Sequence, residues 1–130
     1  MTVSERIEQE LALLRTVYPD LEWRPDAFSV RVPAYPVPSG HWEPVTVEVV
    51  FRIPPTVGEQ PYAFFVRPGL RALDGRQITN YTYPASNCFG DSWGQFSWAP
   101  DAWAPHVEIT RGCNMLNFVR SFADRLREGP

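Results

Sequence analysis

Residues 45–68 read VTVEVVFRIPPTVGEQPYAFFVRP, and this stretch decides the fold. Val45, Val47, Val49 and Phe51 alternate with Thr46, Glu48, Val50 and Arg52, which is the period of a strand with one apolar and one mostly polar face. Pro54-Pro55 stops that strand at Ile53, because proline offers the ladder no N–H. Tyr62 to Val66 begins another, bounded by Pro61 and by Pro68-Gly69. Upstream, Phe28, Val30 and Val32 alternate with Ser29 and Arg31 until Pro33, and Pro36, Pro38, Ser39 and Gly40 supply a turn. Connections this short leave no room for crossover helices, so the strands predict an antiparallel meander.

Helical periods flank the meander. Ile7, Leu11, Leu14 and Tyr18 recur along one face, widened by Leu13 and Val17, and predict a helix from Val3 to Val17. Thr2 and Glu5 have capping-box spacing, and Pro19 ends the helix. At the other end Ile109, Cys113, Leu116, Val119, Ala123 and Leu126 predict a helix over about residues 108–127. Gly112 and Asn114 weaken its first turn and move its expected start toward Arg111. The expected architecture is α+β: an N-terminal helix, a three- to four-stranded antiparallel meander, a long flap loop, and a C-terminal helix packed on one sheet face. With 130 residues, 44% of them hydrophobic, the chain suits one core and a single domain over residues 1–130.

Composition narrows the function classes. A formal charge of -3 with scattered arginines argues against nucleic acid, which needs a concentrated cationic face. No apolar run is long enough for a membrane span, and the first ten residues are polar and acidic, so a cytoplasmic protein is expected. Cys88 and Cys113 are 25 residues apart with no CxxC pairing, which points to two thiols and no disulfide. Two His and two Cys without regular spacing predict no metal site. No glycine-rich phosphate cradle and no GxSxG elbow are present, and no cofactor is expected. All twelve basic side chains are arginine, so the chain offers no side-chain amine to an acyl-transfer reaction.

Leu70 to Pro105 has no sustained period, yet it carries Trp93, Trp98, Trp103 and Cys88. Loops held by a rigid sheet are where chemistry concentrates, so function is sought here, with Cys88 as the candidate nucleophile. Cys113 falls on the apolar face of the predicted helix and reads as core. The three tryptophans either pin the loop to the core or hold a partner. Asn80 and Asn87 suit turn geometry as readily as chemistry.

Phe51-Arg-Ile-Pro-Pro55, Gln60-Pro61-Tyr62 leading into Phe64-Phe65-Val66-Arg67-Pro68, Trp93-Gly-Gln-Phe-Ser97 and Trp103-Ala-Pro105 occur in the order that the ubiquitin-conjugating (UBC/RWD) superfamily uses. The chain resembles that superfamily, most of all the bacterial branch called prokaryotic ubiquitin-conjugating family E. In that superfamily the Asn of a His-Pro-Asn tripeptide precedes the nucleophilic cysteine by about eight residues. Asn80 stands eight before Cys88, with Ile78-Thr79 in place of His-Pro. The resemblance implies that Cys88 carries a ubiquitin-like modifier as a thioester and passes it to an amine. Asn80 or Asn87 would be the oxyanion donor, and Asp91 or Asp101 would orient the amine. It further implies a ubiquitin-like protein, an adenylating activating enzyme and a deconjugating metalloprotease as partners, while the charge and hydropathy above argue against nucleic acid and membrane. The alternative is a non-catalytic interaction module of the same fold that uses Tyr81, Tyr83, Trp93 and Trp98, with Trp103 beside them, to hold a partner.

Overall fold

The computed structural model describes all residues from Met1 to Pro130. Helix α1 spans Val3–Arg15 and α2 spans Met115–Arg127; between them lie β1 (Glu22–Arg24), β2 (Ser29–Pro36), β3 (Trp42–Glu43), β4 (Thr46–Arg52), β5 (Phe64–Arg67), β6 (Arg71–Ala72), β7 (Tyr81–Asn87) and β8 (Gly90–Phe96). Six strands form one sheet in the order β1-β2-β4-β5-β8-β7, with every neighbouring pair antiparallel, while β3 and β6 form a separate ribbon. The α+β reading holds, with helices at both ends of an antiparallel sheet. Neither helix is long and apolar enough to cross a membrane.

The sheet is wider than the expected three or four strands. A hairpin, β7–β8, occupies the segment read as irregular, and it docks β8 rather than β7 against β5. Strand β2 also runs past Pro33, where the expected strand stopped. The register there slips from Val32↔Val49 to Tyr35↔Val47, and this bulge accommodates a residue that cannot donate to the ladder.

Thr2 caps α1 as its spacing predicts: Glu5 N–H donates to the Thr2 hydroxyl, and the Glu5 carboxylate accepts from Thr2 N–H. The C-terminal helix begins later than expected, at Met115. Asn114 is its N-cap and not a weak interior position: Asn114 Oδ1 accepts from Asn117 N–H, and Asn117 Oδ1 accepts from Asn114 N–H. Cys113 therefore precedes the helix and is half-buried, outside the apolar face assigned to it.

Ile7, Leu11 and Leu14 of α1 and Phe118, Val119, Phe122 and Leu126 of α2 pack on Val30, Val32, Val49, Phe51, Phe64, Val66 and Phe96 of the sheet. Phe64 lies between two near-parallel rings, Phe122 with centroids 4.1 Å away and Phe96 at 4.9 Å. Two buried donors fix α2 on this layer: Tyr35 Oη donates to Val119 O at 2.8 Å, and Trp42 Nε1 to Leu126 O at 2.7 Å.

One ion pair is buried where the helical pattern predicts only a polar face. Arg6 and Glu10 of α1 meet at 3.4 Å, with side chains 10% and 5% exposed. Glu10 Oε1 accepts from Met115 N–H, an N-terminal donor of α2, and Arg6 Nη1 donates to His106 O. The pair joins α1 to the start of α2 and to the turn that follows Trp103-Ala-Pro105. Burial raises the Glu10 carboxyl above its ordinary value, opposed by the Met115 N–H and by Arg6.

Candidate functional site at the hairpin tip

The face of the sheet away from the helices is built from the alternate residues of the same strands. Pairing places Arg31, Val50, Phe65 and Gln95 in one row across it, with Glu48 opposite Arg67 in the next. Val50 and Trp93 are fully buried, yet neither belongs to the helix-facing core, so something covers them from the outer side.

The cover is the β7–β8 hairpin. Strand β8 pairs with β5 only from Gly94 onward, and the register within the hairpin shifts twice before its tip. The tip then contacts the opposite edge of the sheet: Arg24 of β1 donates through Nη1 to Cys88 O, and its guanidinium carbon lies 4.3 Å from the Phe89 ring centroid. Strands β1 and β8 stand four positions apart in the sheet, roughly 19 Å at the usual spacing, well beyond an arginine's reach. The hairpin must therefore arch back over the outer face. Trp93 fills the space beneath it, with the Arg67 guanidinium carbon 4.2 Å over its ring.

A chain of charges runs under this arch. Glu22 contacts Arg24 at 3.5 Å and Arg31 at 3.6 Å; Glu48 accepts from Arg31 at 2.6 Å and from Arg67 at 2.8 Å and 3.2 Å. Arg67 Nη1 reaches Phe89 O at 3.4 Å. Two arginines from different strands thus hold the main chain of the hairpin tip. Hydrogen bonding from Arg67, with Arg31 behind it, keeps the Glu48 carboxyl below its ordinary value of 4.5 against the opposing effect of partial burial. A carboxyl whose folded pKa is lowered contributes stability above the unfolded pKa and loses it as pH falls through the folded one. The stability gap between wild type and Glu48→Gln is therefore expected to be widest above about pH 4.5 and to close on further acidification, read as urea midpoints from pH 7 to pH 3.

Cys88 sits in the turn between β7 and β8, free and exposed. The turn is local in origin: Phe89 N–H donates to Asn87 Oδ1 at 2.8 Å, and Gly90 has φ +120°, a conformation that disfavours a side chain. Asn87 Nδ2 is buried without a partner and does not face solvent beside the thiol. Asp91 is exposed just past the turn and accepts from the Ser86 hydroxyl at 2.8 Å.

The structure does not bring Asn80 to Cys88. Asn80 lies at the root of the hairpin and Cys88 at its tip, separated by the seven residues of β7, on the order of 20 Å. The eight-residue spacing that suggested an oxyanion donor is here the length of a strand. Asn80 is a turn residue with φ +53°, and its carbonyl accepts from Ser97 N–H. The preceding Thr79 is fixed to the end of the chain, where its carbonyl accepts from Arg125 Nη2 and its N–H donates to Pro130 O. Asp101 and His106 are exposed in the loop that leads to α2.

The aromatic residues divide. Trp93 is buried and unavailable to a partner; Trp98 is half-buried, with Nε1 donating to Ser121 Oγ at 3.0 Å; Trp103 is half-buried against the core. Tyr81 packs on Phe96, and its hydroxyl accepts from Leu70 N–H. Tyr83 is exposed, and with Tyr81 it lines a groove completed by Pro44, Pro68, Gly69 and Arg71. Of the five, only Tyr83 offers an open ring. Sequence reading missed Arg24, Glu48 and Arg67, because their partnership depends on strand register and on the arch of the hairpin.

An antiparallel sheet flanked by terminal helices, with a flap that presents one exposed thiol, defines a ubiquitin-conjugating-like domain. The chain belongs to prokaryotic E2 family E, whose family model matches residues 14–121 of its 130. No curated protein and no solved structure matches it.

Proposed function

We propose that the protein is a conjugating enzyme of a bacterial ubiquitin-like pathway, with Cys88 carrying the modifier as a thioester. The observation that carries this reading is the exposure of the Cys88 thiol at the tip of a clamped flap, in a chain of this family. The thiolate attacks the activated C-terminal carbonyl of the modifier. A C–S bond forms, and the activating enzyme's own thiol leaves. An incoming amine then attacks the same carbonyl, forming an amide and releasing Cys88. The reaction starts from an acyl group that is already activated, so the thiol needs no strong activation of its own.

The neighbouring groups have narrower roles. Asn87 shapes the turn through its side-chain oxygen, and Asp91, exposed three residues past Cys88 and bonded to the Ser86 hydroxyl, is assigned the orienting of the amine. Asn80 takes no part, because it lies at the other end of β7. The partners are a ubiquitin-like protein and an adenylating activating enzyme, with a deconjugating metalloprotease acting on the product, and the setting is the bacterial cytoplasm.

A binding role without thioester chemistry is the second reading, favoured by the lack of an open side-chain amide at the thiol. The two separate on a non-reducing gel after incubation with the charged activating enzyme and its modifier. Conjugation predicts a thiol-sensitive adduct that is lost completely in Cys88→Ala. Wild type that stays unmodified beside a charged activating enzyme leaves the binding role.

A further inference from the structure

Of the two arginines that hold the hairpin tip, Arg24 and Arg67, Arg24 is the one bonded to the thiol's own residue. Arg24, the last residue of β1, bonds the carbonyl of Cys88 itself, and its guanidinium lies against the ring of the next residue, Phe89. Glu22 holds the other side of the group at Nε. We propose that Arg24 is the positioning residue of the Cys88 turn, and that arginine is required there because it clamps the turn without being acylated by the thioester beside it. The inference rests on the thioester reading above.

A guanidinium is planar, stays protonated and delocalises its lone pairs, so it bonds a carbonyl and stacks on a ring while remaining a poor nucleophile. An ammonium on a flexible stem supplies the same charge, but its deprotonated fraction attacks a thioester. With lysine at position 24, the amine nitrogen would add to the thioester carbonyl next door. The C–N bond would form, the C–S bond would break, Cys88 would leave as thiolate, and the amine proton would pass to solvent. The acyl group would end on the protein itself as a stable amide.

Two measurements test the proposal, and neither needs the natural partners. In Arg24→Ala, amide hydrogen exchange over residues 88–92 is expected to rise about tenfold while β4 and β5 are unchanged; Arg24→Lys restores much of the protection. Wild type and Arg24→Lys are also charged with a synthetic Gly-Gly peptide thioester and followed by mass spectrometry. Wild type should yield an adduct that dithiothreitol removes completely. Arg24→Lys should convert it to a thiol-resistant adduct at residue 24, absent when Cys88→Ala is added. An Arg24→Lys adduct that remains wholly thiol-labile, or unchanged exchange in Arg24→Ala, overturns the proposal. Success here together with failure of a charged activating enzyme to load Cys88 would keep Arg24 as the clamp of the turn and overturn the requirement for arginine over lysine, because that requirement rests on the thioester.

Discussion

Trp93→Ala is expected to cost about 3–5 kcal/mol of stability and to release the hairpin from the outer face of the sheet, whereas Trp93→Phe should cost no more than about 1 kcal/mol. The alanine figure follows from complete burial of a large ring that no neighbouring chain can replace: the cavity would lie between the arch and the sheet, with Val50 exposed to it. The ring also gives the Arg67 guanidinium its stacking surface. Phenylalanine keeps most of that surface and removes a fault, since Trp93 Nε1 is buried without a hydrogen-bond partner. An unpaired buried N–H costs about 1–3 kcal/mol, which offsets much of the lost ring area. Urea unfolding of the three proteins checks this, and equal losses for the two variants would contradict it.

Glu10→Ala should be as damaging, at about 3–5 kcal/mol, because it leaves the Arg6 charge buried and opposed only by carbonyls, and strips a partner from the Met115 N–H. Glu10→Gln keeps an acceptor for that N–H and should lose less. The informative variant is the double replacement Arg6→Met with Glu10→Leu. Burying two charges is costly in itself, so apolar side chains of similar volume are expected to recover the part of the loss caused by the unpaired Arg6 charge, while the Met115 N–H still lacks its acceptor. The raised carboxyl of Glu10 gives a second check. A raised folded pKa contributes stability at low pH and loses it as pH rises through the folded value, so the wild-type advantage that this group supplies from proton binding declines in that direction. Single and double variants measured as a thermodynamic cycle separate the pair's coupling from the packing around it.

Where side chains alternate or repeat at helical spacing, the sequence told the fold well. The strand expected over Val45 to Ile53 is β4, Thr46–Arg52, and the first helix keeps its capping box and its Ile7, Leu11, Leu14 face. The hairpin β7–β8 was illegible for a physical reason. Its strands, YTYPASN and GDSWGQF, carry small, polar and proline residues in place of an alternating apolar face. They are held by pairing to β5 and by one buried indole, and neither is a local property of those residues. The late start of α2 has a different cause: its cap is local, Asn114 with Asn117 three residues on, and Asn114 read as a weak first-turn residue hid it.

Of the site, Cys88 stood out in the sequence through its place in a segment held by the sheet and through the family resemblance, and the structure leaves it exposed. Its setting did not, since the clamp joins β1 to a turn 64 residues later, and Asn80 matched a family spacing while a strand carried it away. Trp93 and Trp98 illustrate the limit of composition: both lie in the same segment, yet one is sealed under the arch and the other bonds α2.

Replacing Cys88 by serine tests the central claim most directly, with the charged activating enzyme and its modifier supplied to wild type and variant. If residue 88 is the acyl carrier, wild type gives an adduct released by dithiothreitol, and Cys88→Ser gives one that resists dithiothreitol but is cleaved by mild alkali, as an oxygen ester must be. An adduct of unchanged thiol sensitivity in Cys88→Ser, or none in wild type, would contradict it.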